Sequence, residues 1–305
     1  MKAFLLRRLG RMIITLIVIT LIVFVAVRLS GDPTLTLASE NPTPEEIAAI
    51  RARLGLDKPI PVQYVLFLAD AVRGEFGTSL RYGEPALDIV FGRLPATVEL
   101  GLVAFLVSTV LGVFFGVLAA LRPNSVFDVV SRSTAIVGQS APGFWIGMML
   151  ILIFSVHLGW LPSNGRGGIS HLIMPVIALS TFSIASIMRL TRSSMIETLG
   201  SDYVRFLRSK GLPEWLIIWK HAFRNASVPV LAVLGLQLGQ VVGGAIIVET
   251  VFNWPGVGRL MVEALTARDY AVIQAGSMVI AIFMVTLNFL VDLSFGLVDP
   301  RIRYE

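Results

Sequence analysis

The sequence predicts an all-α polytopic membrane protein of six transmembrane helices, with a helical extracytoplasmic insertion between the first and the second. Three observations carry this. Of the 305 residues, 55% are hydrophobic and only 15% charged, against about 25% charged in soluble domains, and the mean hydropathy is +0.80. The apolar residues gather into six runs of spanning length. The basic residues stand at the ends of those runs rather than on one soluble face, so the net charge of +5 reports topology and not nucleic-acid binding. No cysteine is present, which removes disulfides and thiolate metal sites.

Residues 1–29 read as a cytoplasmic amino terminus and a first span. Lys2, Arg7, Arg8 and Arg11 precede the apolar run 12–27. A cleaved signal peptide is the competing reading, but no small-x-small site follows and Arg28 stands where one is needed. Residues 30–94 are the long hydrophilic stretch, with nine acidic residues against six basic, a balance that suits the outer side. Thr43-Pro44-Glu45-Glu46 is a capping box with proline at the first helical position. Ile47, Ile50 and Leu54 form its apolar face and Gly55 closes the helix. A second helix over 62–72 is bounded by Pro61 and Gly74. The stretch is a small helical cap over the outer mouth, or else a spacer.

The second span is predicted over 95–121, opened by Pro95 and ended by Arg122-Pro123-Asn124. The third, over 133–158, is interrupted by Gly138-Gln139-Ser140-Ala141-Pro142-Gly143. Pro142 removes a backbone donor there, so a kinked helix facing other helices is expected. The outer turn 159–170 contains Gly165-Arg166-Gly167-Gly168, which lacks the Gly-Lys-Ser/Thr ending and the flanking strand of a phosphate loop. The fourth span, 171–188, exits at Arg189 and Arg192.

Next comes the longest polar interruption of the second half, residues 201–230. Arg205, Arg208, Lys210, Lys220 and Arg224 face only Asp202 and Glu214. Two short helices fit it. In the first, Tyr203, Phe206, Leu207 and Lys210 recur at helical spacing, with Asp202 as N-cap. Gly211 supplies the stop and Pro213 opens the second helix, which sets Trp215, Ile218, Trp219 and Ala222 along one side. This basic, aromatic elbow is a docking surface, or else a loop that touches lipid head groups.

The fifth span, 228–248, holds Gly235, Gly239 and Gly243 at a spacing of four, beside Gln237, Gln240 and Gly244. Such a glycine face permits close helix packing. It also makes a smooth wall for a translocation path, with Gln237, Gln240, Gly239 and Gly243 as its candidates. The outer segment Val251-Phe252-Asn253-Trp254-Pro255-Gly256-Val257-Gly258-Arg259 reads as a short re-entrant or interfacial turn. Phe252, Trp254 and Pro255 are candidates for an outer gate; an aromatic anchor at head-group level is the other reading. The sixth span is 271–298, followed by a cytoplasmic tail, 299–305.

With six spans and the amino end inside, fifteen Lys and Arg fall on the cytoplasmic side, against Arg166, Arg259 and Arg268 in the short outer loops. That bias supports the orientation. Glu99, Glu249 and Asp292 lie at span ends, the first two where water is close, and interfacial or interhelical pairing is their expected role. His157, His171 and His221 are too scattered for a metal site. No catalytic constellation is apparent.

The segments Gly31-Asp32-Pro33, Leu54-Gly55-Leu56-Asp57, Phe76-Gly77-Thr78-Ser79-Leu80, Asp202-Tyr203-Val204-Arg205, Lys210-Gly211-Leu212, His221-Ala222-Phe223-Arg224-Asn225-Ala226, Arg268-Asp269-Tyr270 and Asp299-Pro300-Arg301, in that order, resemble the permease subunits of binding-protein-dependent ABC importers of the dipeptide/oligopeptide/nickel family. The resemblance implies a type I ABC importer permease fold in the bacterial cytoplasmic (inner) membrane, with both termini cytoplasmic. Residues 95–298 would form the permease core, including a coupling loop at 193–226. Asp202, Tyr203, Arg205, Phe206, Lys210 and Gly211 would contact an ATPase, with Phe206 and Leu207 standing where small residues are usual. It further implies a second, related permease (a heterodimer), two ABC ATPase subunits, an extracytoplasmic solute-binding protein and surrounding membrane lipid. The cargo implied is di- or oligopeptides, glutathione or nickel chelates. No cofactor is expected on this chain: no Walker motif is present, so ATP and Mg belong to the ATPases. The alternative is a self-contained secondary carrier or channel, which calls for mid-membrane carboxylates or an internal repeat; the sequence offers neither.

Overall fold

A chain in hydrocarbon must satisfy its own backbone hydrogen bonds, and the computed structural model is helical, with no strand among the described residues. The structure describes residues 2–29, 34, 42–53 and 55–298, and of residues 2–9, 53, 240, 242 and 292–298 the backbone alone. The segments at Gly31-Asp32-Pro33, Leu54 and 299–305, and the side chains of Gln240 and Asp292, lie outside the described residues. In chain order the helices are α1 (Lys2–Leu29), α2 (Pro44–Arg53), α3 (Ile60–Arg73), α4 (Ala86–Leu121), α5 (Val126–Ser140), α6 (Gly143–Leu150), α7 (Ile169–Leu199), α8 (Asp202–Ser209), α9 (Glu214–Leu216), α10 (Phe223–Val251), α11 (Val257–Thr266) and α12 (Tyr270–Val298). Four of them are long and apolar enough to cross a membrane, or six spans result if each of two bent pairs counts as one.

The chain forms two compact units. The first comprises the chain up to Ala96 with Pro255–Thr286. Its α2 starts as the capping box requires, Glu46 N–H donating to Thr43 Oγ1 at 3.2 Å. α3 begins at Ile60, before the predicted boundary, because Pro61 in its first turn costs no hydrogen bond. It ends at Gly74, whose φ is +79°. The core of this unit gathers Val27, Val90, Val257, Leu260 and Val272. α4 starts at Ala86, not at Pro95, which lies inside it. The added turns bury Ala86 and Val90 completely, and that burial outweighs the hydrogen bond the proline removes. A second correction concerns 257–259, the end of the segment read from sequence as a turn: it opens the helix α11, with Val257, Leu260 and Ala264 buried along one face.

The second unit comprises Thr97–Trp254 and the chain from Leu287. The kink predicted at Pro142 is a full break, with a bend of 104° between α5 and α6. Ala141, the residue before the proline, is extended (φ −80°, ψ 127°), as the proline ring demands. α6 continues as a π-helix, Ile151–His157. α7 runs on to Leu199, so Arg189 and Arg192 lie within it instead of marking its exit. It approaches α4 closely: a Cβ at Gly116 would stand 2.6 Å from Thr191 Cβ and 2.7 Å from the Met188 carbonyl, and one at Gly112 2.8 Å from Ile187 Cβ.

Overfilling that seam has a definite consequence. Gly116→Val forces α4 and α7 apart at a cost of about 1–3 kcal/mol, and the thermal midpoint of the purified protein in detergent drops. Gly10→Ala, with nothing within 4 Å of its Cβ, does not lower that midpoint.

Candidate functional site

The elbow between α7 and α10 is built as a braced corner. Ser201 takes the N-cap position of α8, so Asp202 is the first helical residue and not the cap. There its carboxylate pairs with Arg205 at 3.2 Å, with the negative charge well placed at a helix start. Val204 alone in α8 is buried. Tyr203, Arg205, Phe206, Arg208, Ser209 and Lys210 are all exposed, Phe206 to 58%. Lys210 Nζ sits 4.6 Å from the centre of the Phe206 ring, within cation–π range.

Gly211 ends α8 at φ +76°. A Cβ there would meet nothing within 4 Å, so the left-handed backbone and not crowding calls for glycine. Gly211 N–H donates to Arg208 O at 2.9 Å and Leu212 N–H to Leu207 O at 3.4 Å, the paired bonds of a Schellman stop. Arg208 then grips Glu214 across the corner, Nε to Oε1 at 2.7 Å. Tyr203 Oη donates to His221 O at 3.3 Å and accepts from Asn225 Nδ2 at 2.9 Å.

Beyond the corner the sequence expectation of a separate short helix needs correction. α9, a π-helix over Ile217–Ala222 and α10 follow one another without a turn, so the second arm of the elbow is the beginning of the fifth span. The π segment places Ile217 and Ala222 inside, while Trp215 of α9 is 66% exposed and Trp219 47%. Ala222 and Ala226 pack with Val117 and Ala120 of α4 and Met195 of α7. The elbow therefore leaves Phe206, Trp215, Trp219, Arg205 and Lys210 exposed on a base fixed to the bundle.

One buried charge is not anticipated from the sequence. Asp128 is completely buried. It accepts Arg192 Nη2 at 2.8 Å and a second bond from Arg192 Nε, has Arg132 Nε at 3.5 Å, and receives the backbone N–H of Asn124 at 2.8 Å. Its own N–H donates to Ser125 Oγ. Ser125-x-x-Asp128 is a capping-box pattern, a local signal that could have drawn attention to it; the partner 64 residues on has no such signal.

The other predicted residues divide. Gln237, a path candidate, is 3% exposed and its Oε1 accepts from Ser183 Oγ of α7 at 3.3 Å, so it faces a helix neighbour. Gly243 has open space at its Cβ position, while Gly244 meets Leu179 at 3.1 Å. Gly239 is half-buried. Phe252 and Trp254 are fully buried, which excludes the head-group anchor reading for them. Phe252 lies against Gly147 and its carbonyl accepts Gly165 N–H at 2.9 Å; Trp254 N–H donates to Glu249 O at 2.8 Å. Pro255 is half-buried just before α11. Glu249 is not near water as expected: it is completely buried and accepts from Thr97 Oγ1 at 2.7 Å. Glu99 pairs with Arg166, Nε to Oε2 at 2.8 Å. In the first unit, Asp269 accepts from Ser79 Oγ, joining two segments that the family resemblance had quoted separately.

The described residues combine broken and continuous spans with a basic and aromatic, glycine-cornered elbow between two of them. Residues 112–304 match the family described as binding-protein-dependent transport system inner membrane component, and residues 1–101 match its N-terminal counterpart. The chain belongs to that family. It is 42% identical to the dipeptide transport system permease protein DppB of Alkalihalophilus pseudofirmus and 41% identical to the protein of the same name in Escherichia coli K12, in both cases over the full length of both chains. It is 39% identical, again over both full lengths, to the di/tripeptide transport system permease protein DppB of Pseudomonas aeruginosa. Among solved structures it is similar to inward-facing conformations of the MetNI methionine ABC transporter, with a TM-score of 0.57 at 18% identity over 71% of this chain and 99% of that one. An amino acid ABC transporter gives 0.53 at 18% identity over 68% and 92%. These likenesses establish a type I ABC importer permease fold. The chain is a multi-pass inner-membrane permease subunit and not an enzyme; separate subunits of such systems hydrolyse ATP, and a binding protein delivers solute.

The Asp128 cluster yields a two-part expectation. Asp128→Ala leaves the partly buried Arg192 without its carboxylate, a loss of about 1.5–3 kcal/mol, and the yield of monodisperse protein extracted from membranes falls. The double variant Asp128→Leu with Arg192→Met removes both charges and recovers most of that yield.

Proposed function

We propose that this chain is one permease of a heterodimeric importer for di- or oligopeptides, working with a second, related permease, two ATPase subunits and an extracytoplasmic binding protein. The observation that carries the coupling reading is the exposed, braced face of the elbow. Phe206, Trp215 and Trp219 present apolar rings to a partner, and Arg205 and Lys210 supply charge around them, the mixture typical of protein–protein hot spots. The peptide cargo rests on full-length similarity to dipeptide permeases. ATP and Mg are held by the partner subunits, and this chain contributes no cofactor site. Closure of the ATPases pushes on α8, and because α9 runs on into α10, the push reaches the fifth span directly.

Charge reversal at Arg205 and Lys210 leaves the subunit folded and uncouples hydrolysis from uptake: in proteoliposomes holding the complete transporter, ATP is still consumed while peptide import collapses. Unchanged import per ATP would sink the coupling assignment. The absence of native cysteine makes orientation easy to read. A cysteine at Ser209, exposed on the elbow, is labelled by an impermeant maleimide from the cytoplasmic side only, and one at Glu84 from the opposite side only. Labelling with the reverse sidedness overturns a cytoplasmic elbow.

A further inference from the structure

The hydrophilic stretch after α1 contains a helix whose faces are inverted for an aqueous cap. In α3, Gln63 is nine-tenths buried and its Nε2 donates to Lys58 O at 2.7 Å. Val62, Val65, Ala69 and Val72, spaced 3, 4 and 3 apart along one face, are exposed, Val65 to 64% and Val72 to 88%. An apolar stripe of this kind is costly in water and marks an interaction surface.

The contacts of α3 with α1 set its depth. The apolar run Gly10–Leu29 has 20 residues, which at the helical rise covers about 30 Å, the thickness of a hydrocarbon core. Tyr64 Oη donates to Ile17 O at 3.0 Å and lies 3.0 Å from Thr20 Oγ1, near the middle of that run. A phenolic hydroxyl needs such partners away from water. One turn beyond Thr20, Phe24 meets both Tyr64 and Phe67, with ring centres at 5.4 and 5.8 Å. α3 therefore crosses α1 at the level of Phe24, about 7 Å short of the Leu29 end. The neighbouring surface of α1 is equally apolar, with Ile17, Leu21 and Val25 exposed.

We propose that α3 is embedded in the bilayer, in the leaflet at the Leu29 end of α1, with Val62, Val65, Ala69 and Val72 against acyl chains. Arg73, exposed at the end of the helix, reaches the head groups, as basic residues at helix ends do. The partner of this surface is lipid, chosen by depth: protein seated on it or water over it are the outcomes that oppose the assignment.

A nitroxide on Val65→Cys in the full transporter, reconstituted in phosphatidylcholine vesicles, reads this directly. The label collides with dissolved oxygen severalfold more often than with a water-soluble nickel chelate, whereas a label at Glu84→Cys shows the opposite preference. Preference for the nickel chelate at Val65, or shielding from both quenchers, overturns the proposal. Should Val65→Cys disturb folding, Val72→Cys on the same stripe reports the same distinction.

Discussion

The elbow is held to the bundle by a small apolar contact at its base, where Ala222 and Ala226 meet Val117, Ala120 and Met195. Three alanines in that set let the helices approach closely, and the contact is fully buried. Around it stand directional restraints: Tyr203 to His221 and Asn225, Arg208 to Glu214, and the glycine stop at Gly211. None of the exposed pairs is worth much alone, since a surface ion pair contributes about 0–1 kcal/mol. Together they restrict the freedom of the corner. α7 is restrained independently, by the glycine seam against α4 and by the bidentate Asp128–Arg192 pair to α5. α8 is thus attached to helices that are held to each other by close packing and by a charge pair that is expensive to separate.

The parts of this arrangement that were legible in sequence are those encoded within a few residues. The Gly211 stop, the capping box at Thr43 and the proline-disturbed third span each rest on backbone rules that act within one turn. Where the reading failed, a longer-range term decided. Pro95 looked like a start because local rules make it one; burial of Ala86 and Val90 extended the helix past it. Gly256-Val257-Gly258 looked like a turn, and concealed the i, i+3, i+7 pattern of Val257, Leu260 and Ala264 that folds α11. The second elbow arm looked like a separate helix because polar residues interrupt the hydropathy, yet the π segment carries the backbone through without a break.

Position near a span end is a poor guide to water: Glu249 is sealed against Thr97, and Trp254 is fully buried. A buried carboxylate is tolerable only where donors are fixed around it, and nothing in the order of residues announces that Thr97, 152 positions earlier, is one of them. Asp128 makes the same point from the other side. Its capping-box role is written locally, while its pairing with Arg192, and hence its part in holding α5 to α7, exists only once the helices have been brought together.

Segment averages explain the case of α3. Nine acidic residues in 30–94 make the stretch hydrophilic as a whole, and the average hides a helix that turns valines outward and an amide inward. The physical information lies in the pairing of face with depth: a stripe of exposed valines is a defect at an aqueous surface and ordinary beside acyl chains, and the Tyr64 hydroxyl, bonded to the middle of an apolar span, decides between them. Nearness in sequence to a soluble-looking segment is no guide to solvent when the helix folds back along the span that precedes it.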